Sequence, residues 1–152
     1  MADFRRLTEN MLASPQITPA DVHAAREHGV TLIINNRPDG ESPEEPQGPE
    51  IEAAAREAGI TYLYIPVTHA GFSLPQIDEM AQAIDAAEGQ VLAYCRSGTR
   101  STLLWAMAGA KLGMEPDTIA ACASQAGYDV EIVRPTIDLL AQGANPEDTL
   151  SD

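Results

Sequence analysis

A single short run, CRSGTRS from Cys95 to Ser101, holds the residues of this sequence best suited to chemistry. It contains a thiol, two guanidiniums, a glycine and three hydroxyls. An apolar run, VLAY, precedes it and an apolar helical pattern follows it. That order predicts a cysteine at the end of a strand and a helix opening a few residues later. Backbone N–H groups between the two have no helical partner and can converge on one central anion. Gly98 supplies the positive φ that such a turn needs. Amides, helix dipole and guanidiniums together favour thiolate over thiol at Cys95, the candidate nucleophile. Arg100 offers a planar fork to tetrahedral oxygens. Arg96, Ser97, Gly98 and Thr99 complete the expected anion cradle, and Ser101 is placed to hydrogen-bond the thiolate or stabilise it as a leaving group. The question is whether the anion is a phosphate or a sulfur species.

The elements around this run alternate between strand and helix. A short hairpin is expected over residues 4–7 and 11–14. A helix should begin at Thr18-Pro19-Ala20-Asp21 and end at Gly29. VTLIIN (residues 30–35) reads as a buried strand, and residues 36–49 as a long loop rich in proline. A helix over residues 50–58 leads to a second strand at residues 60–65. A capping box at Ser73 opens the next helix, which runs toward Gly89. The third strand is residues 91–94. Helices follow from about residue 101 to 112, over 116–126 and within 130–142. The fold class is therefore α/β, in three layers, with a central and mainly parallel sheet between helices. Residues 1–142 are expected to form one domain and 143–152 a frayed tail.

In such a sheet ligands gather beyond the carboxyl ends of the strands. Polar residues follow all three long strands: Asn36 and Arg37, then Thr68 and His69, then Cys95. Asn36 and Arg37 are accordingly taken as further anion ligands. Cys122, inside the apolar helix IAACASQA, reads as packing.

Composition narrows the partners. A net charge of −14 repels nucleic acid and anionic membrane. No acid stands between Glu88 and Glu115, so the arginines make a local positive site suited to a small anion. Two cysteines in different elements suit a reducing compartment, and the three histidines form no metal set with them. No metal or cofactor is expected. MADFRRLTENM lacks a signal-peptide core, which makes the cytoplasm the expected location. Nothing in the sequence speaks to oligomeric state.

The pieces SPQITPADV, IINNRPDGE, YIPVTHAG, AYCRSGTRSTLLWA and AGYDVEIVRP, spread over nearly the whole chain, resemble the phosphatase-like domain family of β-lactamase-hydrolase-like proteins. The resemblance implies a small version of the dual-specificity tyrosine phosphatase fold with a nucleophilic cysteine in its loop. Members occur alone or fused to a metallo-β-lactamase-type sulfur dioxygenase domain.

Two departures from the phosphatase pattern bear on the reaction. Four residues, not five, separate Cys95 from Arg100, and Tyr94 replaces the usual preceding histidine. That shorter spacing is similar to the active loop of rhodaneses, which surrounds a single sulfane sulfur. His69 stands where phosphatases place an aspartate as general acid; a histidine can give a proton near neutral pH. Asp39 and Glu41 are back-up acids in the long loop. The expectation is therefore sulfur transfer first: Cys95 takes sulfane sulfur from thiosulfate or a thiol persulfide and passes it to a thiol such as glutathione. The alternative is a phosphatase acting on phosphomonoesters, with a Cys95 thiophosphate and His69 as acid. A third reading is a non-catalytic anion-binding module.

Overall fold

The computed structural model describes residues 2–68 and 70–143. Five strands form one sheet in the order β1-β2-β5-β3-β4: β1 (Arg5–Thr8), β2 (Met11–Ser14), β3 (Val30–Asn35), β4 (Thr61–Tyr64) and β5 (Gln90–Tyr94). Only β1 runs antiparallel to its neighbour; the β2–β5, β5–β3 and β3–β4 pairs are parallel. The opening hairpin is thus part of the main sheet, with Ala13 opposite Ala93 and Ser14 opposite Tyr94. The helices are α1 (Pro19–Glu27), α2 (Gly48–Ala58), α3 (Leu74–Ala86), α4 (Thr99–Lys111), α5 (Pro116–Gln125) and α6 (Arg134–Ala141).

Side chains alternate across the sheet with the strand period of two, except at the register shift between Val30 and Leu32. Met11, Ala13, Leu32, Ile34, Val91 and Ala93 pack with the α4 side. Leu12, Val30, Ile33, Leu92 and Tyr94 pack with Ile51, Ala54 and Ala55 of α2 and with Val22 and Ala25 of α1. These are the three layers expected. Tyr94 therefore points to the face opposite α4, and burial pushes its phenol well above its ordinary value.

Local signals fix most boundaries. Thr18 and Asp21 form the capping box of α1, and Ser73 and Gln76 that of α3. Gly59, at φ 75°, closes α2 in the left-handed region. Two expected helix starts move: α2 opens at Gly48, two residues before Glu50, and α4 opens at Thr99, two residues before Ser101. Gly98 is its N-cap at φ 94°, so Thr99 and Arg100 belong to the first helical turn and not to the loop. From Ser101 through Ala110 every residue of α4 is buried, which makes it the central helix of its layer. Among the described residues, no helix is long and apolar enough to cross a membrane.

Candidate active site

The turn between β5 and α4 is held from several sides. The Cys95 N–H donates to the Ser14 carbonyl (3.3 Å), and the Gln16 N–H donates to the Arg96 carbonyl (3.2 Å). Inside the turn, the Thr99 N–H donates to Ser97 Oγ (3.3 Å), whose own hydroxyl donates to Thr99 Oγ1 (3.0 Å). The Gly98 carbonyl accepts from both the N–H and the hydroxyl of Thr102, at 3.0 and 2.8 Å. The Tyr128 hydroxyl donates to the Ser97 carbonyl at 3.0 Å. Cys95 sits at the floor with no exposed surface, and its Sγ accepts the Gly98 N–H at 3.1 Å. Gly98 is required twice over: its φ is positive, and a Cβ there would lie 2.1 Å from the Tyr128 hydroxyl.

Arg100 reaches across to the long loop. Its Nη1 donates to Glu41 Oε2 (2.7 Å) and to the Val67 carbonyl (2.9 Å), while Nη2 donates to Glu41 Oε1 (2.9 Å). Three of its five N–H donors are so engaged. Nε and the second Nη2 hydrogen meet no carboxylate or carbonyl among the described residues, and the Cys95 sulfur lies close to the guanidinium. Together they form a side-on fork, which is a bidentate geometry for an oxyanion. The Glu41 hydrogen bonds and the proximity of Cys95 raise the Arg100 guanidinium above its ordinary value, so its charge is permanent. Val67 itself is fixed by a ladder beyond the strand ends. The Ile65 N–H donates to the Asn35 carbonyl, the Val67 N–H to the Asn36 carbonyl, and Gln76 Nε2 to the Pro66 carbonyl.

The expected site residues divide. Cys95, Ser97, Gly98, Thr99, Arg100 and Ser101 come together in the turn and the first turn of α4. Ser101 Oγ is buried and has no partner among the described residues, so its hydroxyl is free to donate. Arg96 is exposed, contributes its carbonyl to the scaffold and makes no ion pair among the described residues. His69 lies outside the described residues.

Asn36 and Arg37 bind groups of the protein itself. Asn36 is buried and its Nδ2 donates to the Ile65 carbonyl (2.9 Å). Arg37, 6% exposed, donates from Nε to Glu41 Oε1 and from Nη1 to Glu45 Oε1 and Gln16 Oε1. Its charge is spent on these neighbours and reaches the turn only through Glu41 and Gln16. The back-up acids also have other roles. Glu41 is gripped by Arg100 and then Arg37, which lower its carboxyl from 4.5 to about 2 against the opposing effect of burial. It is ionised at any physiological pH and has no proton to give. Asp39 Oδ1 accepts the Gly48 N–H at 2.7 Å, at the start of α2. Sequence reasoning missed three contributors: Glu41 as the bridge between two arginines, Gln16 as a tie between Arg37 and Arg96, and Tyr128 beneath the turn.

This sheet order, with the cysteine at the end of the central strand β5 and an arginine in the first turn of the following helix, defines a phosphatase-like domain of the tyrosine phosphatase fold. PTPMT1, in its complex with PI(5)P, shares that fold at a TM-score of 0.68 and 18% identity, over 93% of this chain and 99% of that one. The chain belongs to the family of the β-lactamase hydrolase-like protein, phosphatase-like domain, whose description matches residues 3–112. A β-lactamase hydrolase-like protein of Xylella fastidiosa is 39% identical over 103 residues, 67% of this chain. The match spans 24% of that relative's length. A candidate phosphatase of Neisseria meningitidis superposes with a TM-score of 0.78 at 37% identity, covering 91% of this chain and 98% of its own.

Proposed function

We propose that this chain is a cysteine-dependent phosphatase acting on small phosphomonoesters. The matching family is described as a phosphatase-like domain and the Neisseria meningitidis structure as a candidate phosphatase, and this moves the weight from sulfur transfer, the first expectation of the sequence, to its alternative. The observation that carries the reading is the proximity of Cys95 Sγ, which receives the Gly98 N–H, to an Arg100 guanidinium held end-on by Glu41. In the reaction Sγ attacks phosphorus in line as the ester P–O bond breaks. Two non-bridging oxygens lie on Arg100 Nε and Nη2. His69, two residues beyond the Val67 carbonyl that anchors Arg100, gives its proton to the departing alkoxide. Water then attacks the thiophosphate and gives a proton back to His69, the P–S bond breaks with Ser101 donating toward the departing sulfur, and inorganic phosphate leaves. Because Cys95 is wholly covered in this structure, the reading requires side chains over the turn to move when substrate enters.

The substrate class follows from charge. A chain of net charge −14 with one local positive site suits a compact phosphate on a small molecule better than a nucleic acid. The phosphoinositide in the PTPMT1 complex supports that class. The spacing of four residues between Cys95 and Arg100 favours a second reading, sulfur transfer through a Cys95 persulfide to a thiol such as glutathione.

One preparation tests both. We expect hydrolysis of p-nitrophenyl phosphate that is lost in Cys95→Ser. Thiosulfate:cyanide transfer together with a sulfur adduct on Cys95 in the intact mass, and no phosphate release, would replace the phosphatase with a sulfurtransferase.

A further inference from the structure

Ser97 O and the Gly98 N–H belong to one planar peptide group, and each is in use. On one side the carbonyl accepts the Tyr128 hydroxyl at 3.0 Å; on the other the N–H donates to Cys95 Sγ at 3.1 Å. We infer that Tyr128 is a positioning residue for Cys95: its hydroxyl locks the Ser97–Gly98 peptide in the orientation that turns the Gly98 N–H onto the sulfur. The inference rests on the reading of Cys95 as a nucleophile and adds a residue outside the 3–112 region that the family match covers.

The lock has two components. A donor on the carbonyl oxygen polarises the amide and strengthens the hydrogen bond that its N–H makes on the far side. Close packing provides the other, because the Tyr128 hydroxyl and ring fill the space beside Gly98 that a side chain would occupy.

Tyr128 is itself fixed. Its N–H donates to the Ala123 carbonyl at 2.9 Å, closing the end of α5. The Arg5 guanidinium sits over its ring, 5.1 Å from the centroid, and Arg5 Nη1 donates to the Ala126 carbonyl. Only 8% of the residue is exposed, and burial pushes the phenol above its ordinary value, so the hydroxyl keeps its proton and stays a donor to the Ser97 carbonyl. A peptide without this hydroxyl could rotate its N–H away, and the thiolate would lose a donor.

The test is the alkylation rate of Cys95 by iodoacetamide at pH 6 and pH 10, in a Cys122→Ser background, with labelling assigned by mass. Losing one neutral hydrogen bond predicts that Tyr128→Phe slows labelling at pH 6 about fivefold. At pH 10, where any accessible thiol is ionised, the rates should agree within about twofold. Arg5→Gln, which leaves the turn untouched but frees the tyrosine ring, should show the same pattern more weakly and serves if the phenylalanine variant does not fold. Unchanged labelling at pH 6 overturns the inference. So does an equal loss at both pH values, which would mean altered access and no effect on the thiolate. Because alkylation needs no substrate, the pattern can hold while p-nitrophenyl phosphate is left intact; that result would sink the phosphatase reading and keep the role of Tyr128.

Discussion

Glu41 and Arg100, 59 positions apart, meet end-on, with both carboxylate oxygens on both terminal guanidinium nitrogens at 2.7 and 2.9 Å. The contact fixes the plane of the guanidinium and leaves its side-on edge toward the turn. Glu41 therefore orients Arg100; it does not occupy the edge that an oxyanion needs.

Glu41→Gln should lower kcat for phosphomonoester hydrolysis about tenfold, in line with the loss of one charge-assisted orienting contact, and change KM less. Steady-state kinetics decide the point. A rise in activity would mean that the carboxylate competes with substrate.

The same carboxylate makes acid stability specific. Its folded-state value, about 2, lies below its ordinary 4.5, so its contribution is complete above pH 4.5 and disappears as the pH falls toward 2. With the Glu41 side chain 27% exposed, that contribution is on the order of 1–2 kcal/mol after solvent screening. Urea midpoints of wild type and Glu41→Gln should differ at pH 6 and converge near pH 2. A gap that persists at pH 2 would contradict the assignment.

Arg100→Lys should be far more damaging than Arg96→Lys. Lysine cannot present two N–H donors in a fixed plane, and loss of such a preorganised donor costs about 100-fold or more in kcat. Arg96 is exposed and gives the scaffold only its carbonyl, so its replacement should cost less than about threefold. Equal losses would mean that the two roles are misassigned.

Gly98→Ala should unfold the site. Left-handed backbone with a Cβ costs about 1–2 kcal/mol, and the collision with Tyr128 adds about 1–3 kcal/mol. Thermal melting should show a large downward shift with loss of activity. Adding Tyr128→Phe should restore only part of the loss, since the ring carbon remains within 2.8 Å of the new methyl.

The contiguous part of the site was legible before the fold. Cys95, Gly98, Arg100 and Ser101 lie within seven residues, and their spacing already implies a strand-to-helix turn around an anion. Residues 30–35 were equally plain, since a β-branched run between Gly29 and an Asn-Arg-Pro loop has few alternatives. The start of α4 was placed two residues late because the anion motif masked the N-cap role of Gly98. What could not be read were the distant pairings. Glu41 reaches Arg100 from a loop without periodicity, and Tyr128 reaches Ser97 from beyond a helix that looks like plain core. The neighbour of β2 is β5, nearly 80 residues later, and no local pattern announces that parallel partnership. The sulfur-first expectation rests on loop length and on the histidine that stands in place of the general-acid aspartate, signals that leave out the orientation of the arginine.

The burial of α4 along ten consecutive residues reaches beyond packing. A helix without a solvent face along that stretch cannot fray independently, so its amide hydrogens from residue 103 to residue 110 should exchange with deuterium only when the whole domain opens. Inactivation by heat and global melting should then trace one and the same curve.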